Sequence, residues 1–357
     1  MKLQQLSGLM VICVLLVMSY TLMGPLASAG EVYTLEESID TALEKSRVIK
    51  ESELELEAKK LELQQAEGRS VMETSPPDLL RAQRNYENAL KKNIMTEFSH
   101  QREVEKSYYQ VVMARDMIEV LEQAVEVAER EYEIEEERLL VEKTTQQELL
   151  STHRELTERR EELAEAIDSH QLALLNYRKT MGLPLDTQLK PEDYLPEYRD
   201  FSRDIDQDIE NAIQVSPELE ELRTALASAE EQVRIFDNDY TAPIKLRSAK
   251  NAMKQAQNGL QRAEDGMELQ IRRAYLEVEE VERRRETLRE SRDEAEEAYK
   301  NASQMKEMEM ATEDDVRNAS LALKMAETEH RHVFFEHRLA VLNYQEAAVL
   351  PLVEENN

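Results

Sequence analysis

Apolar residues between positions 108 and 134 fall in two interleaved stripes. Tyr108, Val111, Ile118, Leu121, Val125, Ala128 and Tyr132 recur at steps of three, four and seven, the spacing of a coiled-coil seam. Met113, Met117, Val120, Ala124, Val127 and Ile134 form a second stripe beside the first. One seam would satisfy a two-helix hairpin, so two seams predict a helix with neighbours on both sides, as in a sheet or cylinder of helices. The Met and Tyr positions read as core packing, not as a ligand-binding stripe, because they keep helical spacing. Punctuation supports the same element. No Gly occurs between Gly68 and Gly182, and no Pro between Pro77 and Pro184, so neither strong helix breaker interrupts that tract. A helix with Asp78 as its N-cap and its end near Leu140 would be a rod on the order of 90 Å at ~1.5 Å per residue. Prolines gather at Pro76-Pro77, Pro184 to Pro196, Pro217, Pro243 and Pro351, which divides the chain into two helical tracts joined by a loop-like segment, Met181 to Phe201.

The tracts are copies of one unit. An offset of 167 places Tyr108 on Tyr275, Tyr132 on Tyr299, Thr145 on Thr312, His170 on His337, and Asn176-Tyr177 on Asn343-Tyr344. Earlier in each unit the offset is 170, aligning Ile39, Ala42, Ser46, Ile49 and Leu63 with Ile209, Ala212, Ser216, Leu219 and Val233. Each copy therefore predicts the same three helices, packed beside their twins. The first helix opens at the capping box Thr34-Leu-Glu-Glu37 and runs to about Glu67 with a break near Ser46; its twin covers about Asp206 to Asp237. The long second helices end near Leu140 and Lys306. Tight reversals at Val141 to Thr144 and Glu309 to Ala311 then lead into third helices from Gln146 and Glu313. Their starts are marked by two further boxes, Thr145-Gln-Gln-Glu148 and Thr312-Glu-Asp-Asp315. The prediction is an all-α fold, a tandem repeat of long antiparallel helical hairpins, with repeats over 30–200 and 201–357.

Composition narrows the function. With 75 acidic against 45 basic residues the net charge is −30, which opposes nucleic-acid binding. Seven Gly and nine Pro are too few for the many turns of a sandwich, propeller or closed β-barrel. Lys2, the apolar run Leu9 to Met18 and Ala27-Ser28-Ala29 read as a signal peptide over 1–29, cleaved before Gly30, so the mature chain is expected to be exported. The single Cys13 lies in that run and leaves no mature disulfide. Ile12 stands where a lipoprotein signal calls for a small residue, so lipid attachment at Cys13 is the less favoured reading. No later segment approaches 18 uncharged apolar residues, and no helical membrane span is expected after signal removal.

Candidate chemistry is sparse. His330 and His332 lie two apart and would point about 200° apart on a helix, and His332 with Glu336 or His337 lacks a closed ligand set. These histidines read as surface residues. No phosphate loop, nucleophile elbow or zinc-protease helix is present, and neither an enzymatic activity nor a cofactor is expected. Acidic runs such as Glu133 to Glu137 fit a solvated helix face or the wall of an acidic lumen. The candidate site residues are those of the tips, Thr145, Glu148, Thr312, Asp314 and Asp315, which would surround a pore mouth if several chains converge there.

Leu35-Glu-Glu-Ser-Ile-Asp-Thr-Ala-Leu-Glu44, Met181-Gly-Leu-Pro184, Ser216-Pro-Glu-Leu219, Ala274-Tyr-Leu276, and Ala311-Thr312 with Asp315-Val316 resemble the TolC-like outer-membrane efflux proteins. The resemblance spans almost the whole mature chain and rests on the duplicated order of these pieces. It implies a homo-trimeric hollow cylinder, an envelope location that is the outer membrane in most of the family, and work with an adaptor protein and an inner-membrane export pump. Two departures stand out. The junctions at about Gly68 to Asp78 and at Tyr240 to Leu246 are too short for the family's barrel strands, the second keeping at most a strand remnant, so no transmembrane β-barrel is expected. The family's glycine at the tip reversal is absent, with Glu142 and Glu309 near its place. The implied function is a barrel-less helical conduit or spacer in export; the alternative is an extracytoplasmic structural coiled-coil protein that has lost transport.

Overall fold

The computed structural model describes residues 31–70 and 76–355. The signal segment and Cys13 lie outside the described residues. The described residues begin with strand β1 (Glu31–Tyr33), followed by α1 (Leu35–Lys45), α2 (Arg47–Ser70), α3 (Pro76–Leu140) and α4 (Gln146–Thr180). A connector carries strand β2 (Leu189–Pro191). The second copy is α5 (Ile205–Val215), α6 (Pro217–Phe236), α7 (Pro243–Glu307) and α8 (Glu313–Ala347), closed by the short α9 (Leu350–Glu355). Helices α3 and α7 both have 65 residues, and α4 and α8 both have 35, as a duplicated unit requires.

Caps place the helix boundaries. Thr34 accepts from the Glu37 amide at 3.1 Å while the Glu37 carboxylate takes the Thr34 amide at 2.9 Å, the reciprocal box expected there. The break at Ser46 separates α1 from α2, and Ser216 repeats it between α5 and α6, where Pro217 occupies the first helical position. One boundary expectation fails. Helix α3 begins at Pro76, so Asp78 lies inside its first turn; its side chain is outside the described residues. No strand remnant exists at Tyr240 to Leu246, because Asn238 closes a turn through its side chain to the Tyr240 amide at 2.9 Å and Pro243 then starts α7.

Helix α3 pairs with α2 along its first half, where Ser52 donates to Asn93 at 2.8 Å, and with α4 along its second, where Arg160 meets Glu129 at 2.7 Å. The other flank of α3 meets α8, and α8 in turn packs on α7. The long helices thus form a sheet in the order α4–α3–α8–α7. This explains the two stripes. Tyr108, Val111, Val120, Ala124 and Ala128 are buried, whereas Met117, expected in the second seam, is 41% exposed because it points away from both neighbours.

The middle of the rod holds the core. Tyr108, Tyr109, Tyr177, Met181 and Phe335 form one cluster, with Tyr108 edge-on to Tyr177 at 5.8 Å and Tyr109 stacked on Phe335 at 5.0 Å. The second cluster contains Ile209, Ala212, Ile271, Val278 and Tyr344. Buried hydroxyls need partners, and the copies supply equivalent ones: Tyr177 shares a 2.5 Å hydrogen bond with Ser38, and Tyr344 donates to Asp208 at 2.7 Å. Strand β2 pairs in parallel with β1 and ties the connector back to the start of the chain, a pairing absent from the sequence expectations.

Helix α4 ends in a left-handed turn at Gly182, φ 71°, with the Gly182 and Leu183 amides returning to the Lys179 and Arg178 carbonyls. A Cβ at this position would lie 2.9 Å from the Lys45 carbonyl group at the end of α1. The twin position is Val349, φ 53°, so the second copy makes the same turn with a β-branched residue. Gly182→Ala combines the left-handed cost with a backbone clash and is expected to lower stability by about 2 kcal/mol or more, read as a shift in urea midpoint at constant slope.

Candidate functional site

The two reversals at the acidic end share one geometry. At the first, the Glu142 amide donates to the Leu139 carbonyl at 3.0 Å and the Lys143 amide to the Arg138 carbonyl at 2.9 Å. At the second, the Glu309 amide donates to Lys306 at 2.9 Å and the Met310 amide to Met305 at 2.8 Å. Both are Schellman turns, and their left-handed residues are Glu142 and Glu309, φ 58° and 59°. Glutamate thus holds a left-handed position that favours glycine, and the turn survives because its paired amide bonds outweigh a penalty of about 1–2 kcal/mol.

The predicted tip residues close in pairs. Thr145 takes the Glu148 amide at 3.3 Å and gives its own amide to the Glu148 carboxylate at 3.0 Å, and Thr144 adds a bond to Glu148 at 2.7 Å. Thr312 and Asp315 repeat the exchange at 3.1 and 2.7 Å. The Thr144 bond and the Thr145 backbone hold the Glu148 carboxyl below its ordinary range, and the Thr312 backbone does the same for Asp315. Asp314 is half-buried beside Arg130 of α3. Asn318 donates to Glu131 at 3.1 Å, so the second tip lies alongside the last turns of α3 and both reversals sit at one end of the rod. No hydrogen bond joins the two tips among the described residues.

Between the repeats, α3 and α8 meet along an antiparallel polar ladder. Arg102 reaches Glu346 at 2.7 Å, and Arg338 grips the buried Glu105 with two bonds of 3.0 Å. Further on, Lys324 pairs with Glu119 at 3.1 Å and Gln123 with Ser320 at 3.1 Å. At the centre, buried Asp116 faces Arg115 at 3.0 Å, Arg331 at 3.1 Å and His332 at 3.5 Å. Burial raises the Asp116 pKa, but His332, Arg115 and Arg331 outweigh it and hold the carboxyl below its usual range. Asp193 of the connector joins the same arginines, at 2.9 Å to Arg115 and in close contact with Arg331, which holds it low as well. The connector also gives its Glu192 carbonyl to the Tyr108 hydroxyl at 2.8 Å.

The histidines differ from their sequence reading as surface residues. His337 is buried with Nε2 3.4 Å from Glu282, and His332 is largely covered at Asp116, because α8 carries neighbours on both flanks. His330 is half-buried against Phe334. Among the described residues no group of three or more His, Cys, Asp or Glu is arranged to hold a metal, and no helix is long and apolar enough to cross a membrane.

No family model and no curated protein matches the sequence. Solved structures do match the fold. The Campylobacter jejuni CmeC outer membrane channel aligns with a TM-score of 0.67 at 13% identity, over 89% of this chain and 86% of that one. The fold is that of the TolC-like outer-membrane channels. The outer membrane protein VceC from Vibrio cholerae (TM-score 0.61, 14% identity, 88% of this chain and 95% of that one) and the Neisseria gonorrhoeae MtrE outer membrane channel (0.58, 14%, 88% and 88%) align similarly. These neighbours are named as channel or membrane proteins, none as an enzyme. In this TolC-like fold the tip residues are helix caps, and the residues missed from sequence are the charges of the ladder. Their partners across α3 and α8 are more than 200 positions away, beyond the reach of any local signal.

Two outcomes follow from these contacts. Thr312→Ala should cost about 1 kcal/mol locally and speed amide exchange in the first turn of α8, while Glu309→Gly should leave the turn intact and change stability by less than about 1 kcal/mol in the stabilising direction. Burial lowers the His337 pKa below 6.5, so the unfolded chain binds that proton first; stability is fully present above pH ~6.5 and falls as pH drops through the lowered value. Asp116 and Asp193, also lowered, add a second loss beneath 3.8. Burial lowers His100, His170 and His330 in the same way, so His337→Gln should reduce the first slope without abolishing it and leave the second, in urea midpoints measured from pH 8 to 3.

Proposed function

We propose that the protein is a non-enzymatic export component of the cell envelope, a TolC-like helical conduit or spacer whose chains close into a homo-trimer and work with an adaptor and an inner-membrane pump. One observation carries this reading. The sheet α4–α3–α8–α7 leaves α4 and α7 as open edges, and the repeat offset makes an α7–α4 contact between neighbouring chains the counterpart of α3–α8 within one chain.

The open edges are suited to each other. Leu150, Ile167, Leu172 and Leu175 are exposed along α4, and Leu269, Leu276 and Met305 along α7, long apolar strips that association would cover. Shifting the ladder by 167 turns Asp116–His332 into Arg283–Glu165, with the charges exchanged, and Gln123–Ser320 into Glu290–His153. Arg283 and Glu165 are both exposed in the single chain. Six quasi-equivalent units then close a cylinder. The tips Thr145, Glu148, Thr312, Asp314 and Asp315 would gather at one mouth, their capped carboxylates forming an acidic rim.

Charge opposes assembly, since each chain carries about −30, and salt screens that repulsion over ~8–10 Å. Association of the mature protein should strengthen with salt and need no detergent. Arg283→Glu or Glu165→Arg alone should weaken it roughly tenfold, and the double reversal should restore it. Light scattering that finds only monomer at micromolar protein in low and high salt overturns the conduit, and favours the structural coiled-coil alternative.

A further inference from the structure

Three of the chain's 15 Met stand within six residues at the second reversal, Met305, Met308 and Met310. All three face solvent, with 43%, 64% and 69% of their surfaces exposed. The turn itself accounts for little of this. A Schellman turn often sets the side chains of its outer pair in apolar contact, and the 2.8 Å bond from the Met310 amide to the Met305 carbonyl makes them that pair. Met308 lies outside the pair. The twin reversal, moreover, closes with the same amide bonds while Arg138, Val141 and Lys143 fill the three equivalent places. The fold is therefore indifferent to thioethers at these positions.

We infer that this reversal holds one soft monovalent cation, Cu(I) or Ag(I), between the thioethers of Met305, Met308 and Met310. The backbone places the donors. Met305 and Met308 are three apart at the end of α7, a spacing that sets Cβ atoms about 5–6 Å from each other, and the amide bond brings Met310 back beside Met305. Each side chain turns about three bonds, which lets three sulfurs converge on one ion. Thioethers are neutral and polarizable, so they select Cu(I)-like ions and leave Mg(II) and Ca(II) to oxygen donors. Charge favours the cation as well. Where the first reversal carries Arg138 and Lys143, the second has no base, and Glu307, Glu309 and Glu313 are exposed around it. Lys306, the nearest base, is engaged by Glu313. Met305 also ends the exposed strip of α7, but all three donors belong to one chain, so the site is complete without the ring.

Cys13 is the only Cys, so the chain from Gly30 onward offers no thiol to compete for a soft ion. That chain, labelled at its Met methyl carbons, is titrated with Ag(I) in chloride-free buffer. Three methyl signals should shift together and saturate at one equivalent, while that of Met117, exposed elsewhere on α3, stays in place. Met308→Leu or Met310→Leu should weaken binding at least tenfold, and Met305→Leu/Met308→Leu/Met310→Leu should lose it, with apolar bulk and helicity retained. Cu(I), kept reduced and measured by competition with a chromophoric chelator, should rank the variants in the same order. Mg(II) and Ca(II) should move no signal. Shifts spread over every exposed Met, saturation only after many equivalents, or binding kept by the triple variant overturns the inference. So does a silent titration, which leaves the three side chains as an apolar surface. The site does not rest on the conduit: monomers that take one ion would defeat the ring and sustain the site, and a trimer that ignores the metal would do the reverse.

Discussion

The antiparallel register of α3 against α8 is the constraint on which the rest of the molecule depends. Apolar stripes with a seven-residue repeat tolerate a slip of one or two turns, since another leucine or valine then fills the same hole. Buried charges do not. A slip would separate Glu105 from Arg338 and Asp116 from Arg331, leaving carboxylates uncompensated in a covered interface, a cost of about 3–5 kcal/mol for a broken buried pair. These ion pairs contribute less to net stability than to alignment, because desolvating both partners offsets much of their attraction. Alignment is what a long helical rod lacks. Once the register is set, both reversals fall at one end, the α6–α7 turn at the other, and the two tyrosine-rich clusters in the middle.

The connector converts that alignment into a closed unit. Asp193 reaches Arg115 on α3 and Arg331 on α8 together, and Arg285 of α7 stacks over Tyr198 at 3.5 Å, so one irregular segment touches three of the four long helices. Its short parallel pairing with β1 brings the segment ahead of α1 to the same level. A belt of this kind resists the splaying of helices that share only narrow seams. It also concentrates the titratable groups, His337 with Glu282 and Asp116 with His332, where helix packing excludes water.

Charge is distributed unevenly along the rod, and the unevenness has structural consequences at both ends. Acidic side chains near the tips are partly neutralised by amides, since the Glu148 and Asp315 carboxylates bond the free N–H groups that open α4 and α8. At the other end the acid-free start of α7 carries Lys245, Arg247 and Lys250, with exposed Asp237 and Asp239 just before it across the turn. The edges α4 and α7 are mixed, combining exposed leucines with charged side chains.

Periodicity, glycine and proline spacing and capping boxes were enough to determine the three helical tracts of each copy to within a few residues, the break at Ser46, the duplication, and the caps at Thr145 and Thr312, because each depends on contacts within a few positions. The start of α3 was misplaced because two prolines fit a first turn as well as a preceding loop. The burial of His332 and His337, the clasp on Asp193, the β1–β2 pairing and the exposure of Met117 were decided only by tertiary structure. Each depends on which helix lies against which flank, and a stripe of apolar residues states that a neighbour exists without naming it. The left-handed glutamates at 142 and 309 show the same division: local preference calls for glycine, and the paired amide bonds of the turn, with α4 and α8 held back along α3 and α7, impose the conformation on a residue that would otherwise avoid it.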